Sequence, residues 1–124
     1  MKEMKKEQGL EFMKKLIAGN WKMHGDIDIA RTLIADIVNS LYEREELLKK
    51  CEFLVCPPTL HIASVRHALQ GYPKIAVGGQ DCSLAENGAH TGDVSASMLK
   101  DAGCSYVIVG HSERRADHGE SDAD

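Results

Sequence analysis

The sequence predicts an α/β fold in which short parallel strands alternate with helices. Four runs are apolar throughout rather than alternating with polar residues, which is typical of strands buried on both faces of a parallel sheet. Segments of helical length and pattern separate these runs, and this alternation favours parallel strands joined by crossover connections. The pattern alone leaves two architectures open, a small doubly wound sheet and part of a (β/α) barrel.

The clearest predicted helix covers residues 28–42, where apolar residues recur at the three- and four-residue spacing of a helix with one buried face. A second helix is predicted over 59–69, because a pair of prolines precedes it and Gly71 follows it. A third, shorter helix over about 95–102 ends at Gly103. The predicted strands are 15–18, 53–56, 75–77 and 106–109; residues 43–50 are either a polar continuation of the first helix or a separate turn, and 78–92 form a long loop.

Length and composition limit the classes of protein to which the chain can belong. Its 124 residues suit one domain, and 43% hydrophobic with 27% charged residues is ordinary for a globular protein. A net charge of −4 offers no basic surface for nucleic acid. No apolar stretch approaches the ~18 residues that span a bilayer, and residues 1–12 are too polar for a signal peptide. We therefore expect a cytoplasmic protein that binds neither nucleic acid nor membranes.

The four cysteines do not have the spacing of a zinc site. No two of them are separated by two residues, and none lies near a pair of closely spaced histidines. Cys51 and Cys56 bracket an apolar run and are interpreted as small core residues. We expect reduced, buried thiols and no bound metal.

Polar residues follow each predicted strand where it ends. Both parallel architectures place their active sites at the carboxyl ends of the strands. A lysine, an asparagine, a histidine and a glutamate are therefore expected on one rim of the sheet. The segments concerned are Gly19-Asn20-Trp21-Lys22, Cys56-Pro57-Pro58, Gly79-Gln80-Asp81 and Gly110-His111-Ser112-Glu113-Arg114-Arg115.

The motifs AGNWKM, GGQDCS, GAHTGDVSA and VGHSERR occur in this order, and together they resemble the triosephosphate isomerase family. The resemblance runs from about Met13 to Asp124. It implies a parallel (β/α) barrel fragment, roughly the first four βα units of a TIM barrel, over residues 13–124. Residues 1–12 are then a polar N-terminal extension, with either Met1 or Met13 as the true start.

The resemblance also implies an activity and roles for individual residues. The family interconverts dihydroxyacetone phosphate and glyceraldehyde 3-phosphate through an enediolate, in glycolysis and gluconeogenesis, without a cofactor. Lys22 matches the lysine that attracts the phosphorylated substrate and stabilises negative charge, and Asn20 matches an asparagine that bonds a substrate oxygen. His111 matches the histidine that polarises the carbonyl. Glu113 matches a glutamate that pairs with the lysine, and Ser112 a supporting residue.

Elementary chemistry agrees with those roles. Moving a proton between adjacent carbons requires a base and donors aimed at the oxygens on which charge develops. Lys22 supplies a local positive charge that an acidic chain needs if it is to bind an anion. The alternative for Glu113 is a surface ion-pair cluster with Arg114 and Arg115, which contributes little. The remaining histidines are interpreted as packing or surface residues: His24, His61, His67, His90 and His118.

The resemblance also implies that the long loop, residues 78–92, contributes to a contact between subunits. In the family, the segment that matches 87–91 projects into a neighbouring subunit of a homodimer, and Thr91 matches a threonine that touches the neighbour's active site. His90 departs from the family pattern, in which an aromatic residue is common here. The alternative is a loop exposed to solvent that contacts no partner.

Much of the family's machinery does not occur in these 124 residues. A barrel of this kind has about 250 residues and eight strands. The sequence contains no segment like the family's glutamate base and its mobile lid, or like the glycine-rich phosphate-binding loops. Without the other half of the barrel, we expect strand edges to be unpaired and a layer of inward-facing side chains to be uncovered. The predicted inward-facing residues are Ile17, Val55, Val77 and Ile108. We therefore expect little or no isomerase activity and marginal folding.

The sequence is compatible with three hypotheses. The chain is part of a longer or split enzyme that needs a carboxyl-terminal half, a truncated product with no catalysis, or a half-barrel module that binds phosphate without chemistry. The motifs are intact up to the last residues, which argues against long decay of the sequence.

Overall fold

The computed structural model describes residues 14–111 together with the backbone of Lys2–Glu3. Predictions for Ser112, Glu113, Arg114, Arg115 and His118 lie outside the described residues. The strands are β1 (Lys2–Glu3), β2 (Lys15–Asn20), β3 (Cys51–Cys56), β4 (Ile75–Gly79) and β5 (Tyr106–Val107). The helices are α1 (Ile27–Tyr42), α2 (Glu45–Lys50), α3 (Ile62–Ala68) and α4 (Ala96–Asp101), with a 3₁₀ turn at Thr59–His61.

Four parallel strands follow chain order across the sheet. β2 pairs with β3 along its whole length, from Lys15 opposite Cys51 to Asn20 opposite Cys56. β3 pairs in turn with β4, and β4 with β5. β1 adds an antiparallel pair on the outer edge of β5, which the sequence does not predict. The carboxyl ends of β2 to β5 therefore lie along one edge, as the strand–helix alternation predicts.

Helix α1 is stabilised at its start by a side chain and along its length by burial. The Asp26 carboxylate accepts a hydrogen bond from the Ile29 amide at 2.8 Å, which is a standard N-cap. Ala30, Ile34 and Val38 lie one turn apart and are buried against the sheet and the other helices. Residues 45–50 form a separate short helix, so the open question about segment 43–50 is resolved in favour of a break after α1.

Two clusters of buried side chains lie on the two faces of the sheet. The larger lies between strands and helices and contains Phe53, Val55 and Val77 together with Ile34. The smaller lies on the opposite face, toward the inside of the curve, and its members are Leu54, Cys56, Tyr106 and Ile108. Tyr106 also donates a hydrogen bond to the Glu52 carboxylate at 3.1 Å on this face.

The prediction of inward-facing side chains is wrong for three of its four residues. Val55 and Val77 pack against the helices, and Ile17 lies opposite Phe53 in the register and so on the same helix-facing side. Side chains alternate along a strand, so an error of one residue reverses the face. Ile108 does face inward, but it is buried rather than uncovered.

Within the described part of the chain, no helix is both long enough and apolar enough to cross a membrane.

Candidate active site

The segment after β2 carries two of the predicted site residues in direct contact. The Asn20 side-chain oxygen accepts a hydrogen bond from the Lys22 amide at 2.9 Å, which closes a local turn of the kind asparagine favours. Between them, the Trp21 amide donates to the Cys56 carbonyl at the end of β3, at 3.1 Å. Because its oxygen already serves Lys22, Asn20 has its NH₂ group to offer to another oxygen atom.

Lys22 has a left-handed backbone conformation. Its φ of 54° is positive, and among the described residues it is the only non-glycine residue with this property. A side chain in this region meets its own backbone, at a cost of about 1–2 kcal/mol. Such conformations persist only where the surrounding structure holds them, and they cluster at functional sites. The strain therefore marks the position at which the family resemblance locates the lysine of the active site.

Gln80 holds the other side of this turn. Its side-chain nitrogen donates to the Lys22 carbonyl at 2.8 Å and to the Cys56 carbonyl at 2.9 Å. Both partners are carbonyl oxygens, which only accept, so the NH₂ end of the amide must face them. The sequence predicts Gln80 on the rim, within the GGQDCS motif, but that motif alone assigns it no role.

The two glycines before Gln80 allow close packing on both faces of the sheet. A side chain at Gly78 would come within 2.9 Å of the Cys56 sulfur, and one at Gly79 within 2.7 Å of Leu99. Neither distance is compatible with an ordinary carbon contact. The glycines thus bring the end of β4 close to its neighbours and fix the point from which Gln80 reaches the Lys22 turn.

His111 lies beyond the carboxyl end of β5. The Ile108 amide donates to the Gly79 carbonyl at 2.9 Å, and Gly110 then turns the chain with a φ of 59°. His111 is half-buried and lies on the same edge as Asn20 and Lys22, but β3 and β4 separate β5 from β2. The structure thus brings Asn20, Lys22 and Gln80 into contact and puts His111 on their rim. The functional roles of these residues remain predictions.

The loop between β4 and α4 is anchored at its base. The Ser83 amide donates to the Val94 carbonyl at 2.7 Å, and Ser83 also forms an isolated bridge with Ser95, the N-cap of α4. The part of the loop farthest from this base, residues 86–93 with Thr91, is exposed, and Leu84 next to the base is 80% exposed. A loop with a fixed base and an exposed tip can present that tip to another surface.

Cys56 is at the rim but is not a reactive thiol. Its side chain is fully buried, and burial, followed by the neighbouring Cys104, raises its pKa to about 11. A thiol with so high a pKa stays protonated near neutrality and is a poor nucleophile. Burial raises the pKa of Cys104 as well, although Arg66 lowers it somewhat. All four cysteines are free; Cys56 and Cys104 are buried as predicted, whereas Cys51 and Cys82 are half-buried.

A separate apolar hollow of about 150 Å³ lies between the Lys22 segment and α1. Its walls are largely hydrophobic, so it does not have the donors that a phosphorylated ligand requires. The residues that line it are Trp21, His24, Gly25, Ile29, Ala30 and Leu33. Trp21 also packs against the main core. Within residues 14–111, no group of His, Cys, Asp or Glu side chains is arranged to hold a metal ion.

Comparison with known proteins identifies the family. The family model for triosephosphate isomerase matches residues 15–124, which is most of the chain. The chain therefore belongs to the triosephosphate isomerase family. It is 52% identical over 107 residues to the triosephosphate isomerase of Bradyrhizobium sp. (strain ORS 278), and 50% identical over 111 residues to that of Ruegeria sp. (strain TM1040).

A solved structure supports the same assignment of fold. The crystal structure of triosephosphate isomerase from Bartonella henselae superimposes with a TM-score of 0.78 at 40% identity, over 90% of this chain and 44% of that one. The four parallel strands thus correspond to a curled half-barrel, and the prediction of a TIM-barrel fragment is confirmed. Alignments with the Bradyrhizobium and Ruegeria proteins cover 86% and 90% of this chain but only 41% and 42% of theirs. The chain spans less than half the length of these relatives.

Proposed function

We propose that this chain supplies the electrophilic part of an active site that interconverts dihydroxyacetone phosphate and glyceraldehyde 3-phosphate through an enediolate. The observation that carries the proposal is the strained Lys22 turn, held by Asn20 and Gln80 on the same rim as His111. Family membership supports it, since the named relatives are triosephosphate isomerases. The reaction belongs to glycolysis and gluconeogenesis and requires no cofactor.

In the proposed mechanism each residue acts on one part of the substrate. The Lys22 ammonium attracts the phosphorylated substrate and stabilises negative charge on the enediolate. The Asn20 NH₂ group donates to a substrate oxygen, while its own oxygen keeps the Lys22 turn closed. His111 polarises the carbonyl and moves protons between the two oxygens. Glu113 acts as the carboxylate partner of Lys22.

The proton transfer between carbons needs a base that these 124 residues do not contain in the family's form. We therefore assign the base and the phosphate-binding loops to a carboxyl-terminal half. The isolated chain should show little or no isomerase activity. Mixing it with the part of the Bradyrhizobium relative beyond the aligned region should produce activity in a coupled assay of the two triose phosphates.

Variants of the mixed sample test the named residues. Lys22→Met and His111→Gln should each lower kcat/KM by roughly 100-fold or more, the usual cost of removing one donor to developing charge. Lys49→Met and His67→Gln remove an exposed lysine and an exposed histidine elsewhere, and should leave the rate unchanged. Substantial turnover by the isolated chain, or equal rates for all four variants, would refute the proposal.

The test also separates the two alternatives without catalysis. A half-barrel that only binds phosphate would be stabilised against heat by a phosphoglycolate-type analogue, yet would give no activity with any carboxyl-terminal half. A truncated product without function would show neither effect.

Two further parts of the proposal concern assembly and location. The reconstituted protein is a homodimer in which the loop tip with Thr91 enters the partner, supported by the anchored base and exposed tip of that loop. Thr91→Arg should then lower the mass measured by sedimentation, whereas Thr32→Arg, on the exposed side of α1, should not. The proposed location is the cytoplasm, which agrees with four free cysteines.

A further inference from the structure

The backbone amide and the backbone carbonyl of Lys22 are each hydrogen-bonded to a side chain. Asn20, two residues away, accepts from the amide at 2.9 Å, and Gln80, directly after β4, donates to the carbonyl at 2.8 Å. Asn20 is part of the same turn and would move with it. Gln80 therefore ties the turn to the rest of the sheet through a side chain, beside the backbone bond from the Trp21 amide to the Cys56 carbonyl.

Gln80 is itself well anchored. Its second hydrogen bond, at 2.9 Å, goes to the carbonyl of Cys56, a fully buried residue at the end of β3. The same carbonyl also accepts a hydrogen bond from the Trp21 backbone amide. The Cys56 carbonyl therefore binds both the turn, through Trp21, and the Gln80 side chain that holds the turn. Just before Gln80, Gly79 packs directly on Leu99, which is buried. Both hydrogens of the Gln80 NH₂ group are thus used on carbonyls of fixed position.

We infer that Gln80 is a positioning residue, which maintains the left-handed backbone of Lys22 and thereby directs the lysine ammonium toward the substrate. This inference rests on the proposed function for the role of the ammonium, but the geometric part stands independently. A side chain leaves the backbone in a direction set by φ and ψ, so a turn that relaxed to negative φ would redirect the whole lysine. Displacing a charged group by about 1 Å can cost on the order of 100-fold in rate.

Two substitutions remove the NH₂ group in different ways. Gln80→Met keeps the length of the side chain but has no donor. Gln80→Glu keeps the shape but puts a carboxylate, which only accepts, against two carbonyl oxygens. Gln70→Met and Gln70→Glu are matched controls, because Gln70 is exposed and lies just after helix α3 rather than at the end of a strand.

The first measurement needs no catalysis. In the isotope-labelled 124-residue chain, Lys22 should show the strong intraresidue NOE between amide and α proton that positive φ produces. Both Gln80 variants should lose this signal while keeping the dispersed spectrum of the folded chain, and both Gln70 variants should retain it. Retention of the signal in the Gln80 variants would overturn the inference. If both Gln80 variants fail to fold, Gln80 serves the fold as a whole, and the inference is equally overturned.

The second measurement uses the chain mixed with the carboxyl-terminal half. The Gln80 variants should lower kcat/KM by roughly 10- to 100-fold, and the Gln70 variants by less than about twofold. Adding Gln80→Met to Lys22→Met should cause little further loss, because no ammonium is then left to direct. Independent, multiplicative losses would contradict a positioning role. If the unmodified mixture is inactive, the proposed function fails, whereas the NMR result still decides whether Gln80 holds the Lys22 turn.

Discussion

At the residue scale, Cys56 should make the stability of the chain fall as the pH rises through the alkaline range. Burial is the main cause that raises the pKa of its thiol from 9.0 to about 11. Between these values the unfolded thiol has lost its proton while the folded thiol keeps it, so the unfolded state is favoured as pH rises. The free energy of unfolding should therefore be unaffected by this group below about pH 9 and should fall progressively toward pH 11.

Urea denaturation at several pH values checks this prediction. Cys56→Ala should reduce the slope between pH 9 and 11, the two values that bound the shift. Cys51→Ala removes a partly exposed thiol from the same strand and should keep the slope. An unchanged slope in Cys56→Ala would show that another group is responsible.

Among the individual site residues, the sequence motifs predict some positions and leave others without a role. The family resemblance located Asn20, Lys22 and His111, and the structure puts them on one rim as parallel strands require. It did not reveal the positive φ of Lys22, since a lysine carries no sequence signal for that conformation. Nor did it reveal the role of Gln80, which depends on a contact between residues 58 positions apart. Such contacts exist only once the sheet has formed.

At the scale of single elements, α1 depends on its N-cap. Asp26 accepts the Ile29 amide and puts a negative charge at the positive end of the helix. Asp26→Ala should therefore lower the free energy of unfolding by about 1 kcal/mol. Asp26→Ser, which can still accept the amide, should restore most of the loss. Asp36→Ala, which removes an exposed aspartate from the middle of the same helix, should have a much smaller effect.

Denaturant titration of the four proteins measures these differences. An equal loss for Asp26→Ala and Asp36→Ala would mean that only the overall charge matters. In that case the 2.8 Å hydrogen bond to Ile29 contributes nothing to stability.

The strands show why an element can be predicted while its orientation cannot. All four predicted strands exist; β2, β3 and β4 are each two residues longer than expected at one end, and β5 is two residues shorter. The assignment of faces failed for Ile17, Val55 and Val77 because apolar residues occur on both faces of these strands in the sequence. The buried face of a strand is recognised from the alternation of polar and apolar residues, and these strands lack that alternation. β2 was also expected to be buried on both faces, whereas its residues are exposed or half-buried. The register with neighbouring strands decides the face, and only the structure supplies it.

At the scale of the whole molecule, the described strands leave one edge of the half-barrel unpaired beside an apolar surface. β2 has a partner on one side only among the described strands. Ile17 on this strand is 50% exposed, and Ile29 on the neighbouring helix α1 is 56% exposed. A strand edge next to exposed hydrophobic side chains is a typical site of association. In a closed barrel, by contrast, every strand is paired on both sides.

We therefore predict that the isolated chain self-associates through this edge as its concentration rises. Sedimentation velocity should show a growing weight-average mass, and Ile17→Lys with Ile29→Lys should suppress it by placing charges beside the edge. Leu60→Lys is the control, because Leu60 is 88% exposed but lies on the 3₁₀ turn after β3 rather than at the β2 edge. Adding the carboxyl-terminal half should also suppress open-ended association, since the same edge would then be paired within the barrel. A chain that stays monomeric at all concentrations, or associates equally well with both lysines in place, would show that the β2 edge is already protected.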